Sequence, residues 1–115
     1  MKLYCFYFRN DGTVEKEIIK CRKNKNDYAF KYISDLGYES RGYVAFKNIG
    51  KVLNADSYCL GGKNIQCRMY FEEDSEITDE MKAFAEARAE KVKEFNGAEK
   101  RFRAGVEELK EKFGF

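Results

Sequence analysis

The sequence predicts an α+β fold: an antiparallel sheet of four or five strands, one short helix, and one long C-terminal helix. Three observations carry this. Met81, Ala85, Arg88, Val92, Phe95, Glu99, Phe102, Val106, Leu109 and Phe113 alternate at spacings of four and three, the 3.5-residue period of a helix with one seam. Aromatic-rich runs at Leu3–Phe8 and Arg41–Lys47 have strong strand character. Between the first run and the next apolar stretch lies Asn10-Asp11-Gly12-Thr13, where Asp-Gly supplies the positive φ angles of a tight hairpin turn.

In chain order, Leu3–Phe8 is the first strand and Val14–Cys21 its hairpin partner, with Lys23-Asn24-Lys25-Asn26 as a polar loop. Asp27 is suited to cap a short helix over residues 28–36, with Ala29, Ile33 and Leu36 on one face and Gly37 at its C-terminus. Tyr28-Ala29-Phe30-Lys31-Tyr32 also alternates as a strand does. Arg41–Lys47 is the third strand, and a turn at Gly50 follows. Ser57–Leu60 and Ile65–Phe71 then form a second hairpin across Gly61-Gly62-Lys63-Asn64. The acidic run Glu72-Glu73-Asp74-Ser75-Glu76 ends the sheet. Thr78 is a good N-cap for the last helix, and Asp79 and Glu80 place negative charge where the helix dipole favours it. The heptad phase passes through Gly97 without a slip, so one continuous helix is expected rather than a helical hairpin.

The 115 residues form one domain with two electrostatic halves. Residues 1–71 carry thirteen Lys/Arg against seven Asp/Glu, and residues 72–115 carry nine against thirteen. All eight tyrosines lie in the first half. The chain thus divides into a basic, aromatic-rich sheet region (1–74) and an acidic long-helix region (75–115), which points to different work for each.

Several functions are disfavoured. No apolar run approaches the roughly 20 residues of a membrane span. Leu3–Phe8 is cut short by Arg9-Asn10-Asp11, unlike a signal peptide, so a cytoplasmic location and no membrane partner are expected. A turn centred on Asp11-Gly12 sets Cys5 opposite Ile18 and Cys21 opposite Lys2. A turn at Gly61-Gly62 does not set Cys59 directly opposite Cys67. Four free thiols are therefore expected, not disulfides. There is no histidine and no C-x-x-C pair, which argues against a metal site and any cofactor. A general base would have to be a carboxylate, Lys, Tyr or Cys with a shifted pKa. The acids of the sheet region, Asp27, Asp35, Glu39 and Asp56, show no paired spacing. Gly61-Gly62-Lys63 lacks the phosphate-loop pattern. A non-enzymatic role is the expectation.

Two surfaces remain. A helix over Asp79–Phe113 is roughly 50 Å long at about 1.5 Å per residue, whereas the preceding residues make a unit only about 25 Å across. Phe102, Val106, Leu109 and Phe113 therefore overhang and are candidate partner-binding residues, for a host protein or protein complex or for a second copy of the chain. In an antiparallel pair, Arg88 of one helix would lie near Glu99 of the other. The alternative surface is a basic sheet face of Arg41, Tyr43, Lys47, Lys51, Lys63, Arg68 and Tyr70, able to stack bases and neutralise phosphates of nucleic acid.

The layout of an aromatic N-terminal hairpin (Leu3-Tyr4-Cys5-Phe6-Tyr7-Phe8 with Asn10-Asp11-Gly12), further short strands and a charged C-terminal helix resembles that of small accessory proteins of phages and mobile elements in low-GC Gram-positive bacteria. The resemblance covers the chain loosely and carries no catalytic residue. It implies a factor that acts by occupying a host surface, as inhibitors of defence systems such as CRISPR nucleases do.

Overall fold

The computed structural model describes residues 1–33, 37–55 and 66–115. Six strands form one antiparallel sheet: β1 (Lys2–Phe8), β2 (Val14–Lys23), β3 (Asp27–Ile33), β4 (Glu39–Ala45), β5 (Leu53–Ala55) and β6 (Gln66–Phe71), in the order β4-β3-β2-β1-β6-β5. A 3-10 turn, Phe46–Asn48, follows β4, and α1 (Asp79–Phe113) closes the chain. The α+β class and the long terminal helix match the sequence reading; the sheet has one strand more than expected.

The first hairpin differs from expectation by one residue. Cys5 faces Glu17 and Lys2 faces Lys20, because the loop is three residues long. Arg9 donates to the Thr13 carbonyl at 2.8 Å, Gly12 adopts φ +91°, and the Asp11 carboxylate accepts from Thr13 N and Oγ1. A type I turn followed by a left-handed glycine is the usual three-residue solution.

The helix expected over residues 28–36 is not formed at 28–33, which lie in β3; residues 34–36 fall outside the described part. Period 2 prevails over the helical spacing because Tyr28 and Phe30 both enter the core. They stand opposite Val44 and Gly42 of β4. Asp27 caps no helix but accepts a hydrogen bond from the Asn24 side-chain amide in the β2–β3 turn. Gly37, at φ +81°, lies in the β3–β4 connection. The expected strand Ser57–Leu60, the Gly61-Gly62 turn and Cys59 are also outside the described residues, whereas β5 pairs with β6 from Leu53↔Arg68 to Ala55↔Gln66.

The sheet cannot be flat. Its edges β4 and β5 are joined by residues 46–52 alone, and this link contains two tight turns, Ile49 N to Phe46 O and Lys51 N to Asn48 O. Six flat strands would set those edges about 24 Å apart at roughly 4.8 Å per step, too far for so folded a link. The sheet therefore curls. Phe30 of β3 meets Tyr70 of β6 with ring centroids 5.7 Å apart although β2 and β1 lie between them in the sheet. The concave side holds the main core of Leu3, Cys5, Ile19, Tyr28, Phe30, Val44 and Tyr70. On the other side of β1, Phe8 joins Cys67 and Ala85, with Val14, Met69 and Met81 packed around them.

The helix begins as expected, with Thr78 Oγ1 accepting from Met81 N at 3.1 Å, and it runs unbroken through Gly97 and Gly105 to a left-handed Gly114. It makes the molecule elongated. The radius of gyration is 18.0 Å, against about 13 Å for a compact chain of this length.

Gly42 tests the curled core. A Cβ there would overlap the Phe30 ring, which is fixed between Gly42 and Tyr70. Gly42→Val should lower stability by about 1–3 kcal/mol, as overpacking does, and move the urea midpoint down without abolishing the far-ultraviolet helix signal.

Candidate functional site

Two surfaces stand out, one at each end of the molecule's chemistry: the overhanging helix and a cleft in the curled sheet.

Among the described residues, the first four turns of α1 are the part docked on the sheet. Ala85, Ala89 and Val92 are its buried residues. Phe84 meets Phe8 edge-to-face at 4.9 Å. The docking point is the β1–β2 hairpin. A Cβ built on Gly12 would lie 3.5 Å from the Ala89 Cβ, so one added carbon would bring the turn into van der Waals contact with the helix. Arg88 donates to the Phe8 carbonyl at 3.1 Å and to Asn10 Oδ1 at 3.0 Å. This changes the expected role of Arg88: it binds its own hairpin, and Glu99 pairs with Arg103 at 2.5 Å one turn on. Neither is set up to pair with the other across two helices.

Beyond Val92 the apolar spacing continues with little to cover it. Phe102 is 73% exposed, Phe113 64% and Leu109 53%, and Phe95 is also exposed; Val106 is half-buried. The remaining helix surface is held by ion pairs along the helix, Lys93–Glu90, Lys91–Glu94 and Lys110–Glu107, each worth a few tenths of a kcal/mol, about 0.3–0.5.

The residues expected on one basic sheet face are divided by the structure. Arg41 and Tyr43 are exposed on the outer side of β4. Tyr70 is buried in the concave core. Arg68 shares its side of β6, lies 5.2 Å from the Tyr7 ring centroid, and donates to Tyr70 Oη at 3.0 Å. Lys47 and Lys51 are exposed on the link between the sheet edges. Lys63 is outside the described residues.

Arg41 and Tyr43 instead join residues that the sequence reading did not single out. Strand β2 pairs with β3 only from Cys21↔Phe30 to Lys23↔Tyr28, while β1 takes β2 from Val14 to Lys20. Past Cys21 the two strands part, because β3 and β4 follow the curl while β2 stays with β1. A cleft of about 490 Å³ opens there, with Ile18, Lys20, Arg22, Ala29, Lys31, Arg41 and Tyr43 in its lining.

Burial shifts the titration of several groups in the core. Burial is the main cause that pushes the Cys5 thiol up to about 11, outweighing its hydrogen bond to Tyr7 and the charge of Arg68. It also raises Cys67, Cys21 and Tyr70 above their ordinary values. Cys5 is thus a neutral thiol at pH 7 and a poor nucleophile. Cys5, Cys21 and Cys67 are free thiols. Among the described residues no cluster of three or more His, Cys, Asp or Glu is placed to hold a metal ion, and no helix is long and apolar enough to cross a membrane. Protein-family models, curated proteins and solved structures give no match to this chain.

The Cys5 shift has a sign. The folded state keeps the proton that the unfolded chain loses from about pH 9, so this contribution is whole below pH 9 and is lost as pH rises toward 11. Urea midpoints should fall over that window by the equivalent of up to about 2–3 kcal/mol, and Cys5→Ala should flatten the fall.

Proposed function

We propose that this is a non-catalytic binding protein that inserts the overhanging part of α1 into an apolar groove of a protein partner. The observation that carries the reading is the uncovered stripe Phe95–Phe102–Val106–Leu109–Phe113. Its heptad spacing continues the docked seam of the same helix, and its large side chains are exposed. A stripe of this kind at i, i+3, i+4 and i+7 spacing is how a helix enters a groove. Full burial contributes about 1.5–3 kcal/mol per side chain, before the costs of association.

Charge at the edges of the stripe favours a different protein over a second copy. Arg103, Lys110 and Lys112 occupy flanking heptad positions, and the other flanking positions, Asn96, Ala98 and Gly105, carry no acid. Two copies would bring like charges together, whereas a groove with an acidic rim meets opposite ones. Steric occupation of a host protein surface fits the accessory-factor layout, with inhibition of a defence system as its specific form.

Affinity capture with Val106→Asp/Leu109→Asp as the control tests this. The wild-type chain should sediment as a monomer at tens of micromolar and retain a defined partner, whose affinity for the double variant falls at least about 30-fold, the loss of some 2 kcal/mol. A wild-type dimer that the variant disrupts would make the second copy the occupant. Equal capture by both chains would remove the helix from the interface.

A further inference from the structure

The cleft between β2 and β3 has no part in that reading. We propose that it is a binding site for a single-stranded polynucleotide, held by phosphate contacts to Lys20, Arg22, Lys31 and Arg41 and by a base stacked on Tyr43.

The cross-strand rows place these groups together. Arg22 pairs with Ala29, and Ala29 with Tyr43. In the adjacent row Lys31 stands directly opposite Arg41, and Lys20 lies two residues from Arg22, on the same side of β2. Like charges directly opposite each other on neighbouring strands are destabilising. Here they are gathered around a concavity, where an anion would relieve them. Lys31 pairs with Glu39 at 3.4 Å, and that pair is exposed. Lys20, Arg22 and Arg41 have no ion-pair partner among the described residues. Glu17 also borders the cleft, but its side chain bonds to Tyr7 on the concave side.

The second half of the recognition is apolar. Tyr43 is 59% exposed, and the small side chain of Ala29 stands between it and Arg22 in the cross-strand row. An exposed aromatic face beside guanidinium groups is what single-stranded binders use to hold bases without reading their edges. An acidic peptide would satisfy the cations but would leave the Tyr43 face without a planar occupant.

Fluorescence anisotropy with labelled twelve-nucleotide mixed-sequence DNA and RNA tests the site, using the full chain. Binding with Kd of about 1–100 µM at 50 mM salt is expected, weakening steeply to 200 mM with a log–log slope of about −2 to −3 for three or four phosphate contacts. Lys20→Glu/Arg41→Glu should abolish it. Tyr43→Ala should weaken it about tenfold while Tyr43→Phe retains it, each variant keeping the wild-type urea midpoint. Val106→Asp/Leu109→Asp should bind as wild type does, which separates this site from the helix. A preference between the DNA and RNA arms would name the natural strand. No binding at 50 mM salt would overturn the proposal. So would full retention by Tyr43→Ala together with equal competition by oligoglutamate, which would make the cleft a site for acidic peptide.

Discussion

The short link between the two sheet edges is the constraint on which the rest of the molecule depends. Residues 46–52 connect β4 to β5, and they fit only if the six strands roll up. Rolling brings Phe30 onto Tyr70 and lets the concave side build a core from the sheet's own strands among the described residues. Within the rolled sheet β3 leaves β2 after three paired residues, and the cleft opens where they part. Tyr70 also accepts a hydrogen bond from Gly50 N at 2.8 Å through its carbonyl, so the link is fastened to the strand whose side chain it helps to bury.

Because the concave side is filled from within, the helix is left to cover only the outer side of β1 and its neighbours. It does so over a small area with specific contacts rather than a broad apolar face. The small residues Gly12, Ala85 and Ala89 bring backbone close to backbone. Arg88 then ties the Phe8 carbonyl and the Asn10 side chain of the hairpin to the helix. The rest of α1 is sustained by its caps and by pairs between neighbouring turns, the usual means for a helix without tertiary support.

The helix was legible because its signals are local: Thr78, the acidic first turn, and an apolar period that survives two glycines. β3 was misread as helix because Ala29, Ile33 and Leu36 fit a helical face while Tyr28 and Phe30 fit a strand. Only the presence of β4 decides between them. The binding face was read in part. Alternation along β6 shows that Arg68 and Tyr70 share a side, but the opposite side, Cys67, Met69 and Phe71, is also apolar, so the buried side was not evident. The grouping of Lys20, Arg22 and Lys31 with Arg41 arises from pairing across three strands and carries no linear spacing, so the sequence does not display it. The role of Arg88 was hidden likewise, since its acceptors lie about eighty residues away.

A rod clamped at one end has a mechanical property that a domain docked along its whole length lacks. From Val92 to Phe113 the helix reaches about 31 Å at roughly 1.5 Å per residue. A tilt of about 10° at the hairpin clamp would sweep the far aromatic residues sideways by about 5 Å over that length. The clamp therefore magnifies small angular changes into side-chain-sized displacements. Any load on the tip is transmitted to Arg88 and the Asn10–Gly12 loop, where the helix meets the hairpin.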